Sequence, residues 1–232
     1  MLNFIFSLPT SVAAGDKSYS VRSDFRVILE IFIMLDDPDL TDADKTEALI
    51  RMFYIEDPRK DFRKRIEEEP NEVGLLRKRK TGGMTELSEQ VTEANGYEAQ
   101  SDVEAALRAF TDFVDPRRAA SPLGRHGSQG KKSSARLIDW QQDFDLMVAP
   151  INHILGFECR AAEYLHWRTF LSAYLEIPPE SVFARVLRIR EKLRTGKKLE
   201  KYERTWYNKN RDLVHLRPKF SKAEEELIEA WT

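Results

Sequence analysis

The sequence is poorest in the residues that cross-link secreted domains and build common catalytic centres. Its 232 residues include one cysteine and four histidines. Cys159 alone cannot form an intramolecular disulfide, which indicates a protein that works in a reducing compartment. The cytoplasm is therefore the expected location.

Long hydrophobic runs are also missing. The longest apolar stretch, residues 27–35, contains Glu30 and is far shorter than the roughly 20 residues that cross a bilayer. Residues 2–6 are mostly apolar, but no basic segment precedes them and Pro9 follows closely, so a cleaved signal peptide is not expected. The sequence predicts a soluble protein that does not bind membranes.

Familiar catalytic motifs are missing too. The chain has no glycine-rich loop of the kind that cradles phosphates and no Gly-x-Ser-x-Gly motif. Cys159 has no catalytic partner that a motif would indicate. We therefore expect no enzymatic activity, no cofactor and no metal.

What the sequence does contain is enough apolar residues for a core, 41% of the chain, together with 33% charged residues. The apolar positions recur mostly at helical spacing. They predict a mainly α fold, an irregular helical bundle with a small N-terminal β-hairpin and flexible insertions. The predicted segments are a hairpin with two helices over 1–58, a flexible charged insertion over 59–100, a helix over 101–115, a linker over 116–134, a C-terminal helical block over 135–217 and a helical tail extension over 218–232.

The N-terminal segment combines turn chemistry with an unusually apolar helix. The residues Gly15-Asp16-Lys17 predict the turn of a hairpin. Ser23 or Asp24 can then cap a helix that ends before Pro38 and is apolar on nearly every side. Such a helix must be buried or bound, so part of it is a candidate partner surface, here Phe25, Ile31, Phe32 and Met34.

The C-terminal block contains two helices with clear apolar stripes. The first is predicted to run through residues 164–174, where Trp167 and Phe170 either build the core or contact a partner. The second opens at Glu180 and Ser181 and ends near Gly196. Its predicted core face consists of Val182, Val186, Ile189 and Leu193.

One motif in this block admits a chemical alternative. Glu163 and His166, three residues apart on one face of the predicted helix, match half of the Glu-x-x-His pattern of helical di-metal enzymes. A complete site needs a second pair, and Asp212 with His215 offers only the shorter acid. A lone histidine near an apolar face is more often part of the structure than a ligand.

Charge is distributed unevenly along the chain. Residues 24–57 contain ten acidic and three basic residues, whereas residues 185–222 contain fourteen basic and four acidic ones. The two charged stretches either form two solvated faces or attract each other, within one chain or between neighbouring copies. Tyr202, Trp206 and Tyr207 interleave the basic stretch, so an accessory protein that binds nucleic acid is a further alternative.

Three blocks of the sequence resemble the tail assembly chaperones of long-tailed, siphovirus-type phages and prophages of Gram-positive bacteria. The first is the hairpin that runs into Ser23-Asp24-Phe25-Arg26, and the second is the turn over residues 36–42 with its following helix to Tyr54. The third runs from Glu163-Tyr164-Leu165-His166-Trp167 to Phe170. The resemblance covers residues 8–54 and 101–213.

This resemblance implies a late viral protein of virion morphogenesis that acts in the host cytoplasm and is absent from the mature virion. Its partner would be the phage tape measure protein, which it keeps soluble while the tail tube polymerises around it. The tail tube protein and a shorter companion chaperone are further implied partners, and nucleic acid and membranes are not. Self-association is expected only from the uneven charge distribution. No catalytic role is carried over to any motif residue.

Overall fold

The computed structural model describes residues 7–15, 17–60, 102–115, 136–221 and 224. In this part of the chain the fold is mainly α-helical with a small N-terminal β-hairpin, as the sequence predicts. The described residues fall into two compact units, and neither is continuous in sequence. Those of unit 1 lie within Met1–Arg22 and Thr46–Gly124, and those of unit 2 within Ser23–Lys45 and Arg125–Thr232.

The hairpin in unit 1 forms where the turn residues predict it. Strands β1, Ser11–Ala14, and β2, Lys17–Ser20, pair antiparallel with Val12 opposite Tyr19. Gly15 has a φ of 63°. Only glycine adopts this left-handed conformation at little cost, so the tight connection depends on it.

The core of unit 1 forms around the C-terminal part of helix α2, which spans Asp42–Phe53. Phe53 is fully buried, with its ring 5.0 Å from that of Phe110 and 5.2 Å from that of Phe113 on helix α3, residues 102–114. The Tyr54 hydroxyl donates to the Ala106 carbonyl at 2.8 Å. Ala106, Phe110 and Phe113 of α3 are therefore part of the core of unit 1.

The described residues of unit 2 form six helices, and the first of them is α1, Phe25–Leu35. Asp24 is the N-cap of α1, because its carboxylate accepts from the Arg26 amide at 2.9 Å. Gly196, with a φ of 68°, ends the helix that begins after Ser181. The helices of the unit are α1, Phe25–Leu35, α4, Trp140–Leu155, α5, Trp167–Leu175, α6, Val182–Arg194, α7, Lys201–Lys209, and α8, Arg211–Val214.

The predicted core face of α6 is partly wrong. Val182 and Leu193 are 45% and 42% exposed, whereas the buried residues are Phe183, Val186, Ile189 and Arg190. Phe183 packs its ring 5.9 Å from that of Tyr174 on α5. The inward face of the helix is therefore rotated relative to the predicted one. It includes a charged residue, which an apolar pattern does not reveal.

That charged residue, Arg190, forms a buried ion pair with Asp143 of α4. Its Nη1 and Nη2 donate to the two carboxylate oxygens of Asp143 at 2.6 and 2.9 Å. The same guanidinium donates to three backbone carbonyls, at Leu137, Leu213 and Val214. One side chain therefore joins α4, α6 and α8 and supplies hydrogen-bond donors to a buried carboxylate and to three backbone carbonyls.

Several predicted segments lie outside the described residues. These are the insertion over 59–100 beyond residue 60, the linker over 116–134, and the tail extension after residue 221 apart from Glu224. Residues 59 and 60 are described, and they continue a helical turn that begins at Pro58. At the start of the tail, the Ser221 amide donates to the Glu224 carboxylate at 2.8 Å, as in a capping box.

Candidate functional site

Two of the three motif blocks meet in unit 2. Asp24 and His166 face each other in an isolated antiparallel bridge. The Phe25 amide donates to the Leu165 carbonyl at 2.9 Å, and the Trp167 amide donates to the Ser23 carbonyl at 2.7 Å. We call this junction of residues 23–26 with residues 162–167 the clasp. It joins the N-termini of α1 and α5.

Side chains strengthen the clasp from both motifs. The Asp24 carboxylate accepts from the Leu165 amide at 3.0 Å in addition to capping its own helix. Ser23 and Tyr164 share a hydrogen bond of 2.6 Å between their hydroxyl groups. Arg26 forms an ion pair with Asp24 at 3.0 Å and donates to the Ala162 carbonyl. Polar residues of these motifs therefore hold two distant chain segments together.

His166 is the N-cap of α5, and this position corrects the sequence interpretation. Its backbone is extended, with φ −61° and ψ 139°, and its Nδ1 accepts from the Arg168 amide at 3.0 Å. The helix begins at Trp167, so Glu163 precedes it and is exposed. The prediction that Glu163 and His166 lie one turn apart on a helical face is wrong.

The second pair proposed for that metal site is also placed differently. Asp212 lies on the short α8, whereas His215 follows its end and shares a 2.8 Å hydrogen bond between its Nε2 and the Tyr207 hydroxyl. Within the described ranges, no group of three or more His, Cys, Asp or Glu side chains is arranged to hold a metal ion. The geometric premise of the di-metal alternative is therefore missing there.

Aromatic rings pack beneath the clasp. The Phe25 and Phe170 rings stack with their centroids 4.5 Å apart, and Phe25 also lies 6.5 Å from Phe144 of α4. Trp167 contacts Phe32 edge to face at 5.7 Å and Phe170 at 5.9 Å. Offset and edge-to-face pairs of this kind add to the energy of apolar burial. The motif aromatics thus form the interface of α1, α4 and α5.

The predicted partner surface is only partly accessible in this structure. Phe25, Ile31, Trp167 and Phe170 are each at most 2% exposed, so these four side chains are covered within the chain. Phe32 and Met34 are partly exposed, although Phe32 also stacks on Trp140 at 5.5 Å. Contact of these six residues with a partner stays a prediction, and any direct contact in this conformation is limited to Phe32 and Met34.

Other large apolar side chains, for which the sequence predicts no exposure, face outward. Ile154, Phe157 and Tyr164 are 37%, 45% and 54% exposed, and all three fall within residues 154–164. Ile154 is in the last turn of α4, and Gly156, with a φ of 78°, ends that helix before Phe157. No sequence signal predicts this exposure, because an apolar residue at a helix end is equally compatible with a buried position.

Two aromatic rings of the basic stretch, residues 185–222, contact cations of the same chain, whereas base stacking requires free ring faces. The Arg185 guanidinium lies 5.4 Å from the Trp206 ring centroid, and the Arg211 guanidinium lies 5.6 Å from that of Tyr207. These two rings therefore already have cationic neighbours from the same chain. Tyr202, 60% exposed, remains accessible.

The carboxyl groups of Glu203 and Asp36 in unit 2 are both matched with cationic partners. Burial alone would raise the pKa of Glu203, but hydrogen bonds from Lys192 and from the Glu200 amide hold it below its usual value. The pKa of Asp36 is also below its usual value. Its burial alone would raise this pKa, but hydrogen bonds from Lys219 and Arg136 have the larger, opposite effect. Burial raises the pKa of the Cys159 thiol, and Glu158 adds to this, which disfavours the nucleophilic thiolate.

The described part of the chain is thus a mainly helical protein whose motif residues connect helices, and no helix in it is long and apolar enough to cross a membrane. A family model for the Bacteriophage Gp15 protein matches residues 5–216. The chain therefore belongs to this bacteriophage protein family. No curated protein and no solved structure matches it.

Proposed function

We propose that this chain is a tail assembly chaperone that binds the phage tape measure protein, keeps it soluble and assists polymerisation of the tail tube around it. The chain would act in the host cytoplasm and be absent from the mature virion. Membership of a bacteriophage protein family is consistent with this role. The resemblance of three sequence blocks to such chaperones supplies the more specific part of the proposal.

The observation that carries the proposal is the use of the motif residues in the clasp. Asp24 and His166 cap helices, while Phe25, Trp167 and Phe170 pack between them. Motifs that specify a fold suit a protein that works through its surface, whereas a catalytic motif would direct reactive groups toward a substrate. The chemistry of the motifs therefore favours binding over catalysis.

The exposed pair Ile154 and Phe157 is our candidate for the surface that meets the client. A long apolar helix aggregates unless another protein covers it, and exposed apolar side chains on a helical scaffold are suited to such cover. The two residues are close in sequence, on either side of the left-handed Gly156. Exposing these apolar side chains to water is energetically unfavourable, and client binding would remove this unfavourable contact.

Nucleic acid binding is the weaker candidate. It requires cations for phosphates together with free aromatic faces for bases. Trp206 and Tyr207 lie beside Arg185 and Arg211, respectively, which leaves Tyr202 as the most exposed aromatic of the stretch. The contacts of these rings thus favour a protein partner.

Co-expression with the cognate tape measure protein tests the proposal. We expect this chain to increase strongly the fraction of tape measure protein that remains in the supernatant after high-speed centrifugation, and we expect the two proteins to co-purify. Equal solubility of the tape measure protein with and without the chain would contradict the proposed function.

Matched variants locate the surface in the same assay. I154S/F157S is expected to lower the soluble fraction of the client, because it removes two exposed apolar side chains without opening the core. L8S/I55S removes two side chains that are 49% and 57% exposed in unit 1 and is expected to behave as wild type. Equal loss in both variants, with helical circular dichroism retained, would exclude the 154–157 surface.

A further inference from the structure

Positive charge accumulates where α6 ends and α7 begins. Residues 192–204 contain six basic and two acidic residues. The fold uses one of these acids internally, because Glu203 is 1% exposed and both of its carboxylate oxygens accept from the Lys192 Nζ at 2.7 Å. The other acid, Glu200, is the N-cap of α7. We define the basic surface as four exposed cations of this segment that form no ion pair among the described residues, namely Lys197, Lys198, Lys201 and Arg204.

Two cations of the basic surface are placed against the helix dipole. Lys201 is the first residue of α7, and Arg204 lies about one turn later. The N-terminal end of a helix has a partial positive charge, which favours anions nearby and disfavours cations. Helix formation therefore does not account for Lys201 and Arg204, and an anion bound beside them would relieve an unfavourable interaction.

Exposed apolar side chains accompany the basic surface. Leu193 is 42% exposed and Tyr202 is 60% exposed. Their chain neighbours, Lys192 and Glu203, form an ion pair at 2.7 Å, which holds the end of α6 beside the start of α7. The Lys197 amide donates to the Lys192 carbonyl at 2.9 Å and keeps the connection between the two helices close to this pair. The same region therefore offers cations together with an aliphatic and an aromatic side chain.

We propose that the basic surface, together with Leu193 and Tyr202, binds an acidic peptide segment of a partner protein that carries apolar side chains among its carboxylates. The carboxylates would pair with the cations, and the apolar side chains would cover Leu193 and Tyr202. Nucleic acid has the same sign of charge, but an aliphatic side chain gives its bases no ring to stack on, so this composition favours a peptide. The surface does not include residues 154–157, and failure of this inference would leave the co-expression test of the proposed function unaffected.

Fluorescence anisotropy with labelled synthetic peptides and the purified chain tests this inference. The probe repeats Glu-Leu-Glu-Glu, and its two controls replace leucine by serine or glutamate by lysine. At about 0.15 M salt, where the Debye length is about 8 Å, the probe is expected to bind saturably and at least about tenfold more tightly than the serine control. The lysine control is expected not to bind. Absence of saturable probe binding, or equal binding of the probe and the serine control, would overturn the inference.

Charge-reversal variants locate the binding on the basic surface. K198E/K201E is expected to weaken probe binding at least about tenfold, because it replaces attraction by repulsion at two positions. K198Q/K201Q is the milder variant should the reversal disturb folding, and it is expected to weaken binding less. K60E/R108E makes the same change in net charge with two exposed cations of unit 1 and is expected to bind the probe as wild type does. Circular dichroism establishes that each variant is folded.

The apolar part of the surface has its own variant. L193S/Y202S is expected to bind the probe no more tightly than the wild-type chain binds the serine control. Wild-type affinity for the probe in folded K198E/K201E or in folded L193S/Y202S would contradict the inference. A labelled single-stranded oligonucleotide is the remaining probe. If it binds more tightly than the peptide and K198E/K201E abolishes its binding, the surface serves nucleic acid and the inference is wrong.

Discussion

Replacing Arg190 by methionine is expected to lower the free energy of unfolding of unit 2 by about 3 to 5 kcal/mol. The substitution leaves the Asp143 carboxylate fully buried without its bidentate partner. It also removes the donors of the carbonyls at Leu137, Leu213 and Val214. Urea unfolding followed by tryptophan fluorescence measures this loss of stability. The signal reports on unit 2, because all four tryptophans belong to the part of the sequence after residue 125 that is assigned to this unit.

Two further variants make the Arg190 measurement specific. D143L/R190M is expected to be more stable than R190M alone, because no buried charge is left unpaired, although the three carbonyls still lack donors. R188M makes the same change two residues earlier on α6, where the side chain is 42% exposed and its Glu203 partner also binds Lys192. It is expected to cost at most about 1 kcal/mol. A cost for R190M no larger than that of R188M would contradict the structural role of the buried pair.

Replacing Trp167 by alanine is expected to cost about 3 to 5 kcal/mol, enough to unfold a marginally stable unit. The indole is 2% exposed and packs against Phe32 and Phe170 at the interface of α1 and α5. Truncation leaves a cavity that the surrounding rings cannot fill without moving. Thermal unfolding by circular dichroism measures the loss.

His166 provides the control for Trp167 within the same motif. H166A removes the side-chain cap of α5 and is expected to cost about 0.5 to 2 kcal/mol. H166N keeps a capping side chain and is expected to recover part of that loss. Both folded variants are expected to bind the tape measure protein as wild type does. A folded H166A protein that lost a bound metal together with an activity would contradict the non-catalytic interpretation.

Local features of the fold could be predicted where a few adjacent residues decide the conformation. The hairpin follows from the turn at Gly15, and α1 begins after Asp24 because that carboxylate accepts an amide of the first turn. Gly196 ends α6 through its left-handed backbone. These signals act over three or four residues and need no tertiary contact to be recognised.

Other features depend on contacts between distant residues and were missed for that reason. The clasp joins Ser23 to Tyr164 across a separation of 141 residues, and the inward face of α6 depends on Asp143, which is 47 residues from Arg190. The sequence pattern predicts that α5 begins at Tyr164, before its observed start at Trp167, because histidine is an unusual N-cap and Tyr164 continues the apolar pattern. The accessible pair Ile154 and Phe157 has no distinguishing pattern at all.

The proposed function requires this chain to cover apolar surface of the tape measure protein. Titration calorimetry of the purified chain with its cognate tape measure protein, held in a mild solubilising buffer and repeated at several temperatures, tests this most directly. Burial of apolar surface predicts saturable binding with a clearly negative heat-capacity change that persists in high salt. Absence of binding, or binding with no heat-capacity change that disappears in high salt, would contradict the claim.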